Sequence, residues 1–335
     1  MPSTLPGVPD IDDQLATSIV ERLGIIEHGL RDAVANSDDM MRWTARHLMD
    51  AGGKRVRPML VLLAASLGDV DADGVQDAAV LVELTHLASL YHDDVMDSAP
   101  TRRGTDSAHS LWGNNVAILT GDFLFARASG LSARIGPEAV RLHSETFERL
   151  CLGQLHETVG PSDHEDPFAH YISVLSDKTA SLLALAGDLG ATLGGAPEGS
   201  GDIMRRYGEK VGVAFQLADD VLDLESDAAT SGKTPGIDLR EGVPTMPTLL
   251  VRRRAAESPD VRSLEIVRRL DSDLSGDREL SELVELLLED EALEETRDLA
   301  QRTADEAVAI LAELPEGAVR EALQTFTRTL VERSR

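Results

Sequence analysis

Two stretches of this chain place three carboxylates at the same spacing: Asp93, Asp94 and Asp97 in "DDVMD", and Asp219, Asp220 and Asp223 in "DDVLD". Like charges repel and carboxylates resist burial, so such a cluster calls for a cation. Carboxylate oxygens are hard donors, and hardly any Cys or His accompanies them. The chemistry they suit is that of Mg²⁺, which binds few carboxylates and shares its remaining positions with water and phosphate. One such cluster has a plain alternative, an ordinary solvated face. Two by chance are expected in only about 4% of chains of this composition.

Basic residues add the second half of the argument. In a chain of net charge −27, local cationic groups stand out. Lys54, Arg55 and Arg57 lie in "GGKRVRP", a glycine-rich loop entering an apolar run. Arg102 and Arg103 follow the first aspartate cluster in "TRRG". Lys178 lies in "SDKTAS", and Lys233 follows the second cluster. Arg offers a fork that matches phosphate oxygens and Lys a point charge. Carboxylates with metal on one side and cations on the other describe a site for a diphosphate ester.

The elements that must position these residues read as helices. Residues 78–97 hold few breakers, and at about 100° per residue Asp93 and Asp97 lie about 40° apart. Stepping back by three or four gives Ser89, His86 and Glu83. This polar stripe on an otherwise apolar helix is expected to line a cavity. Gln216, Asp219, Asp223 and Asp227 form a similar stripe over 209–227, and the two helices are expected to face each other. His86, on the aspartate face, is expected to contact phosphate.

Composition sets the frame. The chain has 335 residues, 42% hydrophobic and only 3% aromatic, and Ala and Leu abound, which favours helix over strand. Ten or more helices are expected, with no convincing alternating strands, in one all-α domain over 11–335 behind a disordered 1–10. The acidic run 281–295 reads as a solvated helix face. The charge argues against nonspecific nucleic-acid binding and against anionic membranes. A single cysteine, Cys151, excludes an intrachain disulfide and fits a reducing compartment. No signal peptide and no membrane span are expected, so the chain reads as a soluble cytoplasmic protein.

Taken in order, "GGKRVRP", "ELTHLASLYHDDVMD", "TRRG", "GDFLFARA", "KTA", "FQLADDVLDL" and "GKTPGIDLREGVPTMP" resemble the trans-polyprenyl diphosphate synthase family. The matching pieces run from Gly52 to Pro247. The resemblance implies an all-α helical bundle around a central cavity, the isoprenoid synthase fold, working as a homodimer. It implies three Mg²⁺ ions held by Asp93, Asp94, Asp97, Asp219 and Asp223, with Asp220 supporting that shell. Arg102, Lys178, Gln216 and Lys233 would contact an allylic diphosphate. Lys54, Arg57, His86 and Arg103 would bind isopentenyl diphosphate. Thr179 and Gln216 would lie near a developing cation. The implied reaction is head-to-tail condensation of the two substrates into a longer prenyl diphosphate.

The same resemblance assigns product length to the residues just before the first aspartates. Thr85, Ala88 and Ser89 are small, and the helix they occupy would run roughly 30 Å, so a long-chain product is expected. Blockage by Phe123, Phe125 or Trp112 would instead give geranylgeranyl, farnesyl or shorter products. The motifs also bring to mind a terpene cyclase, a squalene-type synthase and a non-catalytic subunit of a heteromeric synthase. Cyclases lack a second diphosphate site, and a non-catalytic subunit is expected to lose aspartates that this chain keeps. The chain also departs from the family pattern. "GQLHE" exchanges Gln154 and Glu157, leaving both without a role, and Val243 replaces a common Lys for which Arg240 would compensate.

Overall fold

The computed structural model describes residues 11–35, 38–225 and 235–332. The expected disordered N-terminus, Asp227 and Lys233 therefore lie outside the described residues. Helices account for most of the described chain. They are α1 (Asp13–Ala35), α2 (Asp39–Asp50), α3 (Val56–Ala65), α4 (Val75–Met96), α5 (Ala108–Trp112), α6 (Asn114–Ile135), α7 (Pro137–Val159), α8 (Pro167–Leu175), α9 (Ser181–Leu193) and α10 (Ser200–Glu225). Further helices span Ile237–Glu241, Met246–Glu257, Val261–Leu270, Asp277–Leu288, Glu291–Ile310 and Ala318–Val331.

Caps set several boundaries. The Asp38 carboxylate accepts from the backbone N–H groups of Met40 and Met41 to start α2. Asp166 does the same for α8, with Pro167 opening the helix. Gly74, at φ +89°, turns the chain into α4.

The chain divides into two compact units, each interrupted in sequence. The first holds the described residues up to Glu148, Ser181–Glu209 and Val308–Phe326. The second holds Arg149–Ala180, Lys210–Ala307 and the chain from Thr327.

In the first unit α4 packs against α1, α3, α6 and α9. Every residue of α3 from Pro58 to Ala65 is buried. α3 meets α9 closely because Gly190 lacks a Cβ, which would stand 2.9 Å from Ala64 Cβ. By length and composition α6 is apolar enough to cross a membrane, a test that the core helix of a soluble protein also passes. One of its faces is buried, including Ala117, Thr120, Gly121, Leu124 and Ala128, while Ile118 and Leu119 stay exposed.

In the second unit Leu217, Val221 and Leu224 form a core with Val251, Ile266, Leu283, Leu287 and Ala300. In the run 281–295 the apolar residues Leu283, Val284, Leu287, Ala292 and Leu293 are buried while the acidic side chains face solvent, except at Asp290. That carboxylate is buried and takes both oxygens to Arg254, at 2.6 and 2.7 Å.

Candidate functional site

The first aspartate cluster closes α4. The polar stripe expected from the sequence emerges along this helix: Glu83 is 2% exposed, His86, Ser89 and Asp93 are half-buried, and Asp97 is exposed. Asp94 points elsewhere, because position i+1 lies about 100° around the helix. It is fully buried, and Arg102 Nε donates to its Oδ1 at 2.6 Å. Its other oxygen is buried without a hydrogen-bond partner. Burial pushes the Asp94 carboxyl above the usual range, against the pull of Arg102.

Arg102 reaches back because "TRRGTD" is a hairpin. Strands β1 (Thr101–Arg102) and β2 (Thr105–Asp106) pair antiparallel, with Arg102 opposite Thr105. Arg103 and Gly104, at φ +54° and +76°, form the two-residue turn. The turn sends Arg103 to the glycine loop, where its Nη1 donates to Leu48 O at 3.0 Å and also to Gly52 O. Gly53 suits this position because its φ of +147° is one that L side chains rarely adopt, and a Cβ there would also stand 3.0 Å from the Arg103 guanidinium carbon.

The "GGKRVRP" loop splits its cations by direction. Lys54 is exposed and Arg57 half-buried, with its Nε unpartnered. Arg55 turns inward to Glu83. Burial lowers the Arg57 pKa to about 10, so it stays charged at neutral pH. His86 sits among these cations. Burial, followed by Arg57, Arg103, Arg102 and Arg55, drives its pKa well below 6.5 and keeps it neutral. A surplus of confined positive charge around a neutral imidazole is built to receive an anion.

Of the product-length trio, Thr85 and Ala88 are fully buried and Ser89 is half-buried. Thr85 Oγ1 donates to Leu81 O at 2.9 Å and lies 3.0 Å from His143 Nε2. Gly121 of α6 lies against Ala88, where a Cβ would stand 3.1 Å from Ala88 O. The small residues thus let α6 close onto α4, and His143 of α7 reaches Thr85 by its hydrogen bond.

The second unit carries the other cluster. Asp219 is exposed and Gln216 and Asp223 are half-buried, all on α10. Asp220 repeats the behaviour of Asp94. It is buried, and its Oδ2 accepts from Tyr171 Oη at 2.6 Å and from Met246 N at 2.8 Å. Burial raises its pKa to about 8. In both motifs the second aspartate anchors its neighbourhood, while the first and last face outward.

Lys178 and Thr179 lie on a π-turn, Ser176–Ala180, between α8 and α9. Such an insertion re-aims side chains and recurs at functional sites. Glycines flank it on two sides. A Cβ on Gly153 would stand 2.6 Å from Lys178 N, and one on Gly212 would stand 2.5 Å from Ala180 Cα. Arg149 Nε bonds Asp177 Oδ1 at 2.8 Å and fixes the start of the turn. Lys178 Nζ is paired with Glu157, which gives Glu157 a partner the sequence did not reveal. Gln154 Oε1 is buried without one. Arg240 bonds Asp277 at 2.6 Å on the surface.

Among the described residues, no three Asp, Glu, His or Cys side chains gather into a ready-made metal cage. A Mg²⁺ shared with a phosphate needs only one or two carboxylates from the protein. The carboxylate donors and the unsatisfied oxygen of Asp94 fit such an ion.

Comparison with known proteins bears on the whole chain. The polyprenyl synthetase family model matches residues 38–286. A nonaprenyl diphosphate synthase of Mycobacterium tuberculosis is 41% identical over 99% of this chain and 98% of its own. A polyprenyl synthase from Caulobacter crescentus, complexed with calcium and isoprenyl diphosphate, superposes with TM-score 0.87 at 35% identity, covering 96% of this chain and 98% of that one. A geranylgeranyl pyrophosphate synthase from Corynebacterium glutamicum, in complex with the same pair, gives TM-score 0.84 at 39% identity over 97% and 99%.

Proposed function

This chain belongs to the polyprenyl synthetase family, an all-α prenyltransferase family, and we propose that it condenses an allylic diphosphate with isopentenyl diphosphate, head to tail, into a long-chain trans-polyprenyl diphosphate. One observation supports this most: the guanidinium groups of Arg57, Arg102 and Arg103 around neutral His86, beside an aspartate cluster. We read the two compact units as parts of one synthase domain, since the family match runs through both.

Lys54, Arg57, His86 and Arg103 hold the diphosphate of isopentenyl diphosphate. Neutral His86 donates an N–H without adding charge. Arg102, Lys178, Gln216 and Lys233 hold the allylic diphosphate. Asp93, Asp94 and Asp97, with Asp219 and Asp223, hold Mg²⁺, in three ions, and Asp220 supports them. When bound, the ions neutralise the leaving diphosphate, which favours its departure. The allylic C–O bond breaks, the double bond of isopentenyl diphosphate attacks the carbon released, and a proton leaves with the diphosphate. Thr179 and Gln216 turn oxygen dipoles toward the developing cation.

The exposed Ile118 and Leu119 of α6 support a homodimer, and the single cysteine and acidic charge support a cytoplasmic protein. The name of the Mycobacterium relative and the small residues Thr85, Ala88 and Ser89 support a long product. A geranylgeranyl product is the second reading, favoured by the full burial of Thr85 and Ala88. Incubation with labelled isopentenyl diphosphate, Mg²⁺ and geranyl, farnesyl or geranylgeranyl diphosphate decides between them. A Mg²⁺-dependent ladder ending in one long chain is expected. A stop at geranylgeranyl replaces the long-chain reading, and no incorporation from any primer overturns the reaction.

A further inference from the structure

Arg55 is the one cation of "GGKRVRP" without a part in that reaction, and its conformation is unusual. It sits at the head of α3 with φ +49° and ψ +39°, a left-handed geometry that a non-glycine residue adopts only when its surroundings hold it. The guanidinium is held on every side. Nη1 donates to Glu83 Oε1 at 2.7 Å, Nη2 to Met49 O at 3.0 Å and to Glu27 Oε2 at 3.3 Å, and Nε pairs with Glu27. Arg55 is 7% exposed and the Glu83 side chain 2%, while Glu27 is nearly one-third exposed.

This geometry has a direct effect on its neighbours. With Arg55 pinned inward, the left-handed turn leaves Lys54 exposed and starts α3 so that Arg57 stands one residue into the helix. Glu83 lies one turn before His86 on α4 and is also the carboxylate that offsets the burial of Arg57 and Arg103. One buried carboxylate thus acts on three arginines and on the helix that carries the histidine.

We propose that Glu83, acting through Arg55, is a positioning residue that shapes the isopentenyl diphosphate cradle of Lys54, Arg57, His86 and Arg103. The proposal rests on the reading that these four groups take that substrate. A residue that only balances charge predicts the opposite result. Its removal would leave the cradle more cationic and tighten diphosphate binding. The sign of the change therefore decides.

The test measures both substrate constants in Glu83→Gln, which keeps volume and loses the charge. The KM for isopentenyl diphosphate should rise about tenfold or more, with the allylic KM changed less than about twofold. Arg55→Lys, which keeps charge and loses the fork, should show the same split. Glu27→Gln, on the outer partner, should shift the same constant by a smaller factor. Pyrophosphate binding by calorimetry, without turnover, should weaken in the same order. An unchanged or lowered KM for isopentenyl diphosphate in a folded variant overturns the proposal, as does an equal rise for both substrates. If Glu83→Gln does not fold, Arg55→Lys and Glu27→Gln decide alone. A wild-type protein that binds pyrophosphate but consumes no isopentenyl diphosphate defeats the proposed reaction, and the calorimetric series still tests the cradle.

Discussion

Gly153→Ala isolates the link between helix packing and Lys178. The added Cβ would stand 2.6 Å from Lys178 N and 3.0 Å from Asp177 C, both backbone atoms that cannot swing aside. Ordinary carbon contacts begin near 3.5 Å, so α7 and the π-turn must separate by about 1 Å. Overpacking of this kind costs roughly 1–3 kcal/mol, offset by about 1 kcal/mol from the better helix propensity of Ala. The net loss of about 0–2 kcal/mol should lower Tm by no more than roughly 3 °C. Function should suffer more, because Lys178 is proposed to hold the allylic diphosphate and displacing such a group by about 1 Å costs up to about 100-fold. The expected result is a 10- to 100-fold fall, to order of magnitude, in kcat/KM for the allylic substrate, read by single-primer kinetics. Gly24→Ala is the control. That glycine is exposed in α1 with no atom near its Cβ position, so the variant should gain about 0.5–1 kcal/mol and keep full activity. A Gly153→Ala protein as stable and active as the parent would refute the reasoning, since Lys178 would then not depend on that contact.

Other perturbations reach other parts of the molecule. Asp93→Ala should abolish turnover with an unchanged far-ultraviolet circular dichroism spectrum, and near-normal activity with Mg²⁺ would remove the metal assignment. His86 and His143 are both held below the ordinary histidine pKa, chiefly by burial. Below about pH 6.5 the unfolded chain binds protons that the folded chain refuses, so stability should drop as pH falls through that value and be insensitive to these groups above it. His143→Gln, which can still bond Thr85, should flatten this dependence in denaturant titrations at pH 5.5 and 7.5; an unchanged slope counts against it. Ala88→Phe should shorten the product and loosen the contact of α4 with α6, as seen by product chromatography, and an unaltered chain length would place the length-setting residues on another helix.

The sequence made the helices and the chemistry easier to read than the turns between them. Ala- and Leu-rich runs with few breakers are helices in the structure, and the stripe from Glu83 to Asp97 is ordered as its spacing implied. The π-turn was invisible, because "VLSDKTASLL" contains no breaker and the insertion is set by the backbone approaches at Gly153 and Gly212. The hairpin after α4 was missed because Arg103 takes a left-handed position where glycine or asparagine is the usual signal. Arg55 looked like its neighbours Lys54 and Arg57, and only its buried partners distinguish it. Helix α6 is apolar in composition although Asp122 and Arg127 interrupt it. The division into two units leaves no trace in composition, since each is assembled from separated segments.

The arginine cluster around His86 is a positive island on a chain with 59 acidic and 32 basic residues. At low ionic strength a multiply charged anion meets the repulsion of the acidic surface before it reaches those guanidinium groups, whereas at physiological ionic strength charges more than about 8 Å away are largely screened. Capture at low ionic strength is therefore slowed by long-range repulsion and completed by short-range attraction. Moderate salt should quicken the encounter, the reverse of its effect on proteins that steer anions across a basic surface. A divalent cation travelling with the diphosphate would lower the same barrier, which gives the metal a role in arrival as well as in reaction.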